Sequence, residues 1–409
     1  MANISAKRLL GDLRTLREFG AEGTGVVRPS LSAVDMEARR WLAERMDAAG
    51  LDASIDGVGN VFGHSKQAGR ALLVGSHSDT QPTGGWLDGA LGVVYGLEVA
   101  RALAESERTA HLPVDAVSWM DEEGTFLGCL GSKSFCGELS DAAVRDSANA
   151  AGERLIDAIA AAGLADTPPT RFDDTRYVGY LEAHIEQGPY LEEEGNRIGV
   201  VTSIVGIRGY VLEFVGEQNH AGTTPMRRRK DAGMALIHFA HELDAAFKAR
   251  AGERTVWTFG QASFVPGAPS IVPGQARLLV QFRDADEARL ESFDAALFSL
   301  IESHDQPDAV TVRVAERRDP VVPSTMDTSL VGAIADAAAT HAPGRWVQMP
   351  SAAGHDPMVL WRHMPCAMLF IPSINGISHD FAEDSSDEDI VLGCQVLADA
   401  AESILINRQ

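Results

Sequence analysis

One histidine and two aspartates crowd into Gly75-Ser-His-Ser-Asp-Thr80 and Gly85-Trp-Leu-Asp-Gly89, directly after the apolar run Ala71-Leu-Leu-Val74. That run reads as a buried strand, so His77 and Asp79 emerge from its C-terminal end, where open α/β sheets bind their ligands. A metal-ligating imidazole usually has its second nitrogen held by a carboxylate, and Asp79 is close enough to serve His77 in that way. Asp88, in its glycine setting, can approach the same ion. A strand cap followed by a turn accounts for these residues equally well when they are taken alone.

Three further clusters share that placement. Trp119-Met-Asp-Glu-Glu-Gly124 closes a second apolar strand. Adjacent side chains diverge in an extended segment, so one of Glu122 and Glu123 can ligate a metal while its neighbour faces a water as general base. Gly179-Tyr-Leu-Glu-Ala-His-Ile-Glu-Gln-Gly188 offers His184, with Glu182 and Glu186 expected to face solvent. Pro372-Ser-Ile-Asn-Gly-Ile-Ser-His-Asp-Phe-Ala-Glu383 follows the apolar strand Ala367–Ile371 and delivers His379. His77, Asp88, Glu123, His184 and His379 are too many ligands for one catalytic zinc, which takes three and keeps a position open. If one carboxylate bridges, two metals with three protein ligands each are satisfied.

The elements that must position these side chains alternate short strands with helices. Residues 9–49 read as helical, 71–76 and 114–120 as strands, and 93–103 as a helix, which is βαβ grammar with helices on both faces of a sheet. Between residues 209 and 321 the order becomes β-α-β-β-α-β: strands at 210–215, 255–264, 276–283 and 310–316, helices at 231–249 and 290–303. That is a ferredoxin-like α+β pattern. The expected organisation is α/β, with a larger domain built from residues 1–208 and 321–409 and interrupted by a smaller domain at 209–320.

Composition bounds the partners. The 409 residues are 45% hydrophobic and can bury a core large enough for two domains. A net charge of −23 opposes nucleic acid as a partner. No apolar run reaches the roughly 18 residues needed to cross a bilayer. Residues 1–8 lack the apolar core of a secretory signal and read as the first turn of an amphipathic helix. The four cysteines, Cys129, Cys136, Cys366 and Cys394, have neither framework nor zinc-finger spacing. A cytoplasmic protein is expected.

The chain resembles the M20 family of metallohydrolases, in its branch of N-carbamoyl-L-amino-acid hydrolases, allantoate amidohydrolases and β-ureidopropionases. The matching segments are His77-x-Asp79, Gly85–Gly89, Asp121-Glu-Glu-Gly124, Glu182-Ala-His-Ile-Glu-Gln-Gly188, Asn219-His-Ala-Gly-Thr-Thr-Pro-Met226, Gly354-His-Asp356 and Gly376-Ile-Ser-His379. They run in the family's order from the first quarter to near the C-terminus.

The resemblance implies two divalent ions per subunit (zinc, or manganese, cobalt or nickel). Asp88 would bridge them, with His77 and His184 at one and Glu123 and His379 at the other. Glu122 would be the general base, Asp79 would orient His77, and the Asp88–Gly89 peptide would be cis. Glu122 would take a proton from water made acidic by the ions, hydroxide would attack a carbonyl carbon, and the proton would return to the leaving nitrogen. His220 would reach into the partner subunit of a homodimer, formed largely by the inserted domain, and support the oxyanion. Arg283 would grip a substrate carboxylate, and Gln187, Gly354 and His355 would complete the contacts; His355 also suits a buried structural role. The basic run Arg227–Lys230 reads as a solvated helix entry.

One residue departs from the pattern. The branch carries an Asn-x-Ile-Pro-Gly segment whose Asn contacts substrate, and here Pro269-Ser-Ile-Val-Pro-Gly274 puts Ser270 in that place. A hydroxyl is shorter and makes fewer hydrogen bonds than a carboxamide. The resemblance as a whole implies hydrolysis of N-carbamoyl-L-amino acids to amino acid, carbon dioxide and ammonia, and the departure at Ser270 counts against that specificity. The alternatives are an allantoate or β-ureidopropionate amidohydrolase, an N-acyl-amino-acid amidase and, more distantly, a non-catalytic metal-stabilised binder.

Overall fold

The computed structural model describes residues 3–304 and 309–408. Met1 and Ala2, read above as part of a helical first turn, lie outside the described residues; the first helix spans Ala6–Glu18, with the Ser5 hydroxyl accepting from Arg8 N. The single helical region expected over 9–49 is in fact two helices. Gly20 sits at φ +87°, and a Cβ there would lie 2.4 Å from the Val27 carbonyl oxygen, so the chain turns instead of continuing the helix. A pair of two-residue strands intervenes before Ser32 caps the helix Ala33–Ala48.

The chain divides into two compact units, Met1–Ser203 with Thr325–Gln409, and Ile204–Ser324. The larger unit is built on a nine-stranded mixed sheet. Its centre is parallel: Ala71–His77 lies between Val114–Trp119 and Tyr177–Ile185, and Cys366–Ile371 adds to the latter. Antiparallel strands flank this centre, Val61–His64 on one side and Ile198–Ile204 on the other. Every residue of the four parallel strands is buried. Such strands are covered on both faces, which explains why Ala71-Leu-Leu-Val74 and Cys366–Ile371 read as continuous apolar runs, while Asp115, Ser118 and Glu182 lie buried within the other two. Helix Ala90–Ala104, buried from Ala90 to Leu103, packs on the central strand and against Asp387–Arg408. Because the four strands share a direction, their C-terminal ends line one edge. Register pairs His77 with Trp119, and Phe370 with His184.

The smaller unit is a four-stranded antiparallel sheet in the order Val256–Val265, Gln275–Asp284, Gly206–Val215, Thr311–Arg317. With helices Ala232–Lys248 and Glu287–His304, its chain order is β-α-β-β-α-β. Strand Gln275–Asp284 alternates strictly, Ala276, Leu278, Val280 and Phe282 being buried. They join Tyr210, Leu212, Phe214, Phe239, Phe247 and Phe293 in a core between the sheet and both helices. Among the described residues, no helix is long and apolar enough to cross a membrane.

Candidate metal centre

His77 ends the central strand fully buried, and its Nδ1 lies 3.1 Å from the Asp79 carbonyl oxygen. The Asp79 carboxylate, expected to hold this ring, is farther away, with Oδ1 at 3.7 Å. The main chain therefore orients the imidazole. The carboxylate faces Arg39, whose Nη2 is 3.6 Å from Oδ1, and its Oδ2 accepts from Glu123 N at 3.3 Å. His184, at the end of Tyr177–Ile185, repeats the device: its Nδ1 is 2.9 Å from the Ile185 carbonyl oxygen. A carbonyl can only accept, so each ring donates through Nδ1 and turns Nε2 toward the site.

Asp88 receives both. Its Oδ1 lies 3.5 Å from His77 Nε2 and 3.0 Å from His184 Nε2. Its Oδ2 lies 3.2 Å from His379 Nε2, which is itself 3.7 Å from Glu123 Oε2. Two groups of three potential ligands result, His77–Asp88–His184 and Asp88–Glu123–His379, sharing one carboxylate. The Asp88–Gly89 peptide is trans, contrary to expectation; among the described residues only Val265–Pro266 is cis. Gly89 N–H instead donates to His184 Nε2 at 3.0 Å.

The acidic run after Trp119 is ordered by its first member. Asp121 sits at φ +56°, and its carboxylate accepts from Ser30 Oγ and from the backbone N–H groups of Thr125, Phe126 and Leu127. That loop aims Glu122 inward, with Oε2 3.7 Å from His77 Nε2. Burial, together with Asp356 and Glu123, pushes the Glu122 pKa well above the usual carboxylate range despite the opposing pull of His77. Burial and Asp88 raise Glu123 to about 7. Burial works against protonation of His77, yet Asp88, Glu122 and Asp79 hold its pKa well above the imidazole value. The hydrogen bond to Asp88 lifts His379, half exposed at φ +55°, to about 9.

Several neighbours were not anticipated. Glu182 and Glu186, expected in solvent, are buried. Glu182 accepts from Ser76 Oγ and Tyr180 OH, both at 2.8 Å, and Glu186 accepts from Tyr190 N and Leu191 N. Paired in this way, buried carboxylates are tolerated. Arg39 is fully buried between Asp35 and Asp79, donating to Asp35 Oδ2 at 2.9 Å and to the Gly59 carbonyl at 3.1 Å. Glu383, almost fully buried, accepts from Asp88 N at 3.0 Å and from Ser378 Oγ at 2.8 Å. For Glu182, Arg39 and Glu383 the partners Ser76, Asp79 and the Asp88 backbone lie far along the chain, out of reach of any local signal.

Of the proposed substrate contacts in this unit, Gln187 donates to Asp88 Oδ2 at 3.1 Å and lies 3.3 Å from His379 Nε2. His355 is buried edge-on to His184, with ring centroids 4.6 Å apart and Nε2 3.0 Å from Ser351 Oγ. Burial keeps its pKa well below the ordinary value, so it is a neutral donor or acceptor. Gly354 beside it is exposed.

In the smaller unit, His220 is exposed on the short strand Asn219–His220, paired with Ile271–Val272. Its Nδ1 accepts from Gly222 N at 3.0 Å and Thr223 N at 3.2 Å, leaving Nε2 to carry the proton outward. The exposed Ser270 accepts Ala221 N through its carbonyl. Arg283 is braced by Gln281 Oε1, at 3.2 Å from Nε and 3.0 Å from Nη2. Arg227 and Arg228 are exposed just before Asp231 caps Ala232–Lys248.

The larger unit's donor set fits divalent cations. At Asp88 Oδ1 an imidazole nitrogen with no proton in its neutral form faces a carboxylate oxygen at 3.0 Å, so a positive charge is needed between them. Glu123 Oε1 and Gln187 Oε1 are buried without a hydrogen-bond partner. Imidazole with carboxylate suits zinc, manganese, cobalt and nickel.

The chain is similar to known proteins over most of its length. The model of Peptidase family M20/M25/M40 matches residues 73–403. The allantoate amidohydrolase of Escherichia coli (strain K12) is 34% identical over 393 residues, 94% of each chain. The N-carbamoyl-L-amino-acid amidohydrolase of Paenarthrobacter aurescens is 31% identical over 403 residues, 96% of each. The crystal structure of an amidase of the hydantoinase/carbamoylase family from Burkholderia phymatum superposes with a TM-score of 0.95 at 52% identity, covering all of both chains. With its matched span taking in every residue of the two ligand groups, the chain belongs to Peptidase family M20/M25/M40, among the amidohydrolases of the hydantoinase/carbamoylase kind.

Proposed function

We propose that the protein is a two-cation amidohydrolase that cleaves the carbamoyl C–N bond of N-carbamoyl-L-amino acids. The observation that carries the reading is the Asp88 carboxylate, each of whose oxygens faces its own imidazole-bearing group. His77, Asp88 and His184 would hold one divalent cation, and Asp88, Glu123 and His379 the other. When bound, such ions polarise a carbonyl and lower the pKa of water. Glu122 takes the proton of the attacking water and delivers it to the departing nitrogen; its raised affinity for a proton suits both halves of that transfer. The amino acid leaves, and the carbamic fragment separates into carbon dioxide and ammonia.

The remaining contacts orient the substrate. Arg283 offers a guanidinium that Gln281 Oε1 braces through two hydrogen bonds, and such a group suits a carboxylate. The outward Nε2–H of His220 suits a developing oxyanion. In this reading the smaller unit forms a homodimer and presents His220 to the partner. Its strand Val256–Val265 is a sheet edge, exposed and apolar at Val256, Phe264 and Val265, with Met234 and Ile237 exposed on a helix of the same unit. Exposed apolar edges of this kind are normally covered.

Allantoate is the second reading. It is favoured by the 34% identity to the Escherichia coli amidohydrolase and by Ser270, which leaves more room than Asn at a substrate contact. Ammonia release from a panel of N-carbamoyl-L-amino acids, β-ureidopropionate and allantoate, with a parallel amine assay on N-acyl amino acids, tests the assignment. The highest kcat/KM is expected for an N-carbamoyl-L-amino acid. Preference for allantoate exchanges the two readings, and release of amine without ammonia rejects both.

A further inference from the structure

We propose that Glu383 is the positioning residue for the second cation position, Asp88 with Glu123 and His379, because it ties the turn carrying Asp88 to the loop carrying His379. The inference rests on the two-cation reading above. Glu383 is 1% exposed and touches neither His379 nor Glu123 through a hydrogen bond. Its Oε1 accepts the backbone N–H of Asp88 at 3.0 Å and of Leu87 at 3.3 Å. Its Oε2 accepts Ser378 Oγ at 2.8 Å, one residue before the ligand. A single carboxylate therefore spans two loops almost three hundred residues apart in sequence. The turn is shaped around it: a Cβ on Gly85 would lie 1.9 Å from Glu383 Oε1.

Asp88 serves both cation positions, so both feel the tie at its backbone, but only the second also depends on it through the loop of its own ligand His379. His77 and His184 end strands of the buried sheet, and each has its Nδ1 held by a carbonyl one or two residues away. Sheet register thus places them without help from Glu383. His379 belongs to no strand, is half exposed and adopts a left-handed backbone conformation. Its position depends on what holds its loop, and the part-buried Ser378–Glu383 hydrogen bond is one such hold. Groups that orient ligands from behind typically contribute 10–100-fold in metal affinity. Here that contribution falls more heavily on the second position, which the tie reaches through both Asp88 and the His379 loop.

The test is a titration of the metal-free full-length chain with Mn²⁺, followed by calorimetry and by electron paramagnetic resonance, with thermal unfolding of the metal-free protein in parallel. The wild-type chain should take up two Mn²⁺ per subunit and show a spin-coupled signal. Glu383→Ala should bind the second ion about 10–100-fold more weakly, weaken the first by clearly less, and lose the coupled signal at one to two equivalents. Gly85→Ala leaves the carboxylate's chemistry intact but displaces it, and should act in the same direction; it carries the test if Glu383→Ala does not fold. Glu383→Gln keeps an acceptor for the two N–H groups and offers an amide to Ser378, so it should recover most of the lost affinity. Equal weakening of both positions, of neither, or a Gln variant as weak as Ala overturns the assignment. A wild-type chain that binds fewer than two Mn²⁺ overturns the two-cation reading itself.

Discussion

His184 Nε2 faces Asp88 Oδ1 at 3.0 Å while the same ring is anchored through Nδ1 to its neighbour's carbonyl. A histidine so anchored has one nitrogen left to give, and it is aimed at the one carboxylate that both ligand groups share. The consequences of that sharing can be measured.

Replacing Asp88 should be worse than replacing any single imidazole. Asp88→Ala removes a ligand from both groups, so the purified variant is expected to retain less than one ion per chain and no turnover. His379→Ala is expected to keep one. Metal content by mass spectrometry separates the cases, and an Asp88→Ala protein holding two ions refutes the shared-carboxylate geometry.

Glu122 stands beside the ligands without belonging to either group. Glu122→Gln should keep its full metal content and lose about 10²–10⁴-fold in kcat. Retained turnover removes Glu122 from the proton transfer; lost metal would show that it ligates.

Metal uptake should release protons. Without cations the His379 pKa, lifted by Asp88 to about 9, keeps the ring protonated at pH 7.5, and ligation must expel that proton. Affinity at the second position should therefore fall as pH falls below about 9, by roughly tenfold per unit for each proton displaced. Calorimetry in buffers of different ionisation enthalpy reads the number directly. A pH-independent affinity between 6.5 and 8.5 contradicts the assignment of His379 as a ligand.

Arg283→Ala should raise KM for a carboxylate substrate on the order of 10–100-fold, the scale of a lost charge-assisted hydrogen bond pair, with a smaller effect on kcat. His220→Ala should act on kcat. Mixed dimers of His220→Ala with Glu122→Gln test whether His220 works across subunits. One intact site per heterodimer predicts about half of wild-type turnover, and verified heterodimers without activity rule out the partner role.

Part of this centre was legible because strands buried on both faces leave apolar runs: Ala71–Val74 leads into His77, and Cys366–Ile371 precedes His379. Burial of charge was not legible. Glu182 and Glu186 look like solvent-facing acids until Ser76, Tyr180 and the Tyr190–Leu191 backbone are folded against them. Arg39 and Glu383 escape because Asp79 and the Asp88 backbone, which they hold, lie far along the chain. The break near Gly20 was missed because helical periodicity resumes after it, and only the close approach of Val27 forces the turn. The Asp79 carbonyl replaced its carboxylate as the partner of His77, a choice between two oxygens of one residue that spacing cannot make.

The most direct test is activity against added cation. Protein stripped by chelator should be inactive and should regain ammonia release as divalent metal is returned, levelling at two equivalents per chain. Full activity at one equivalent, or with none, contradicts the account.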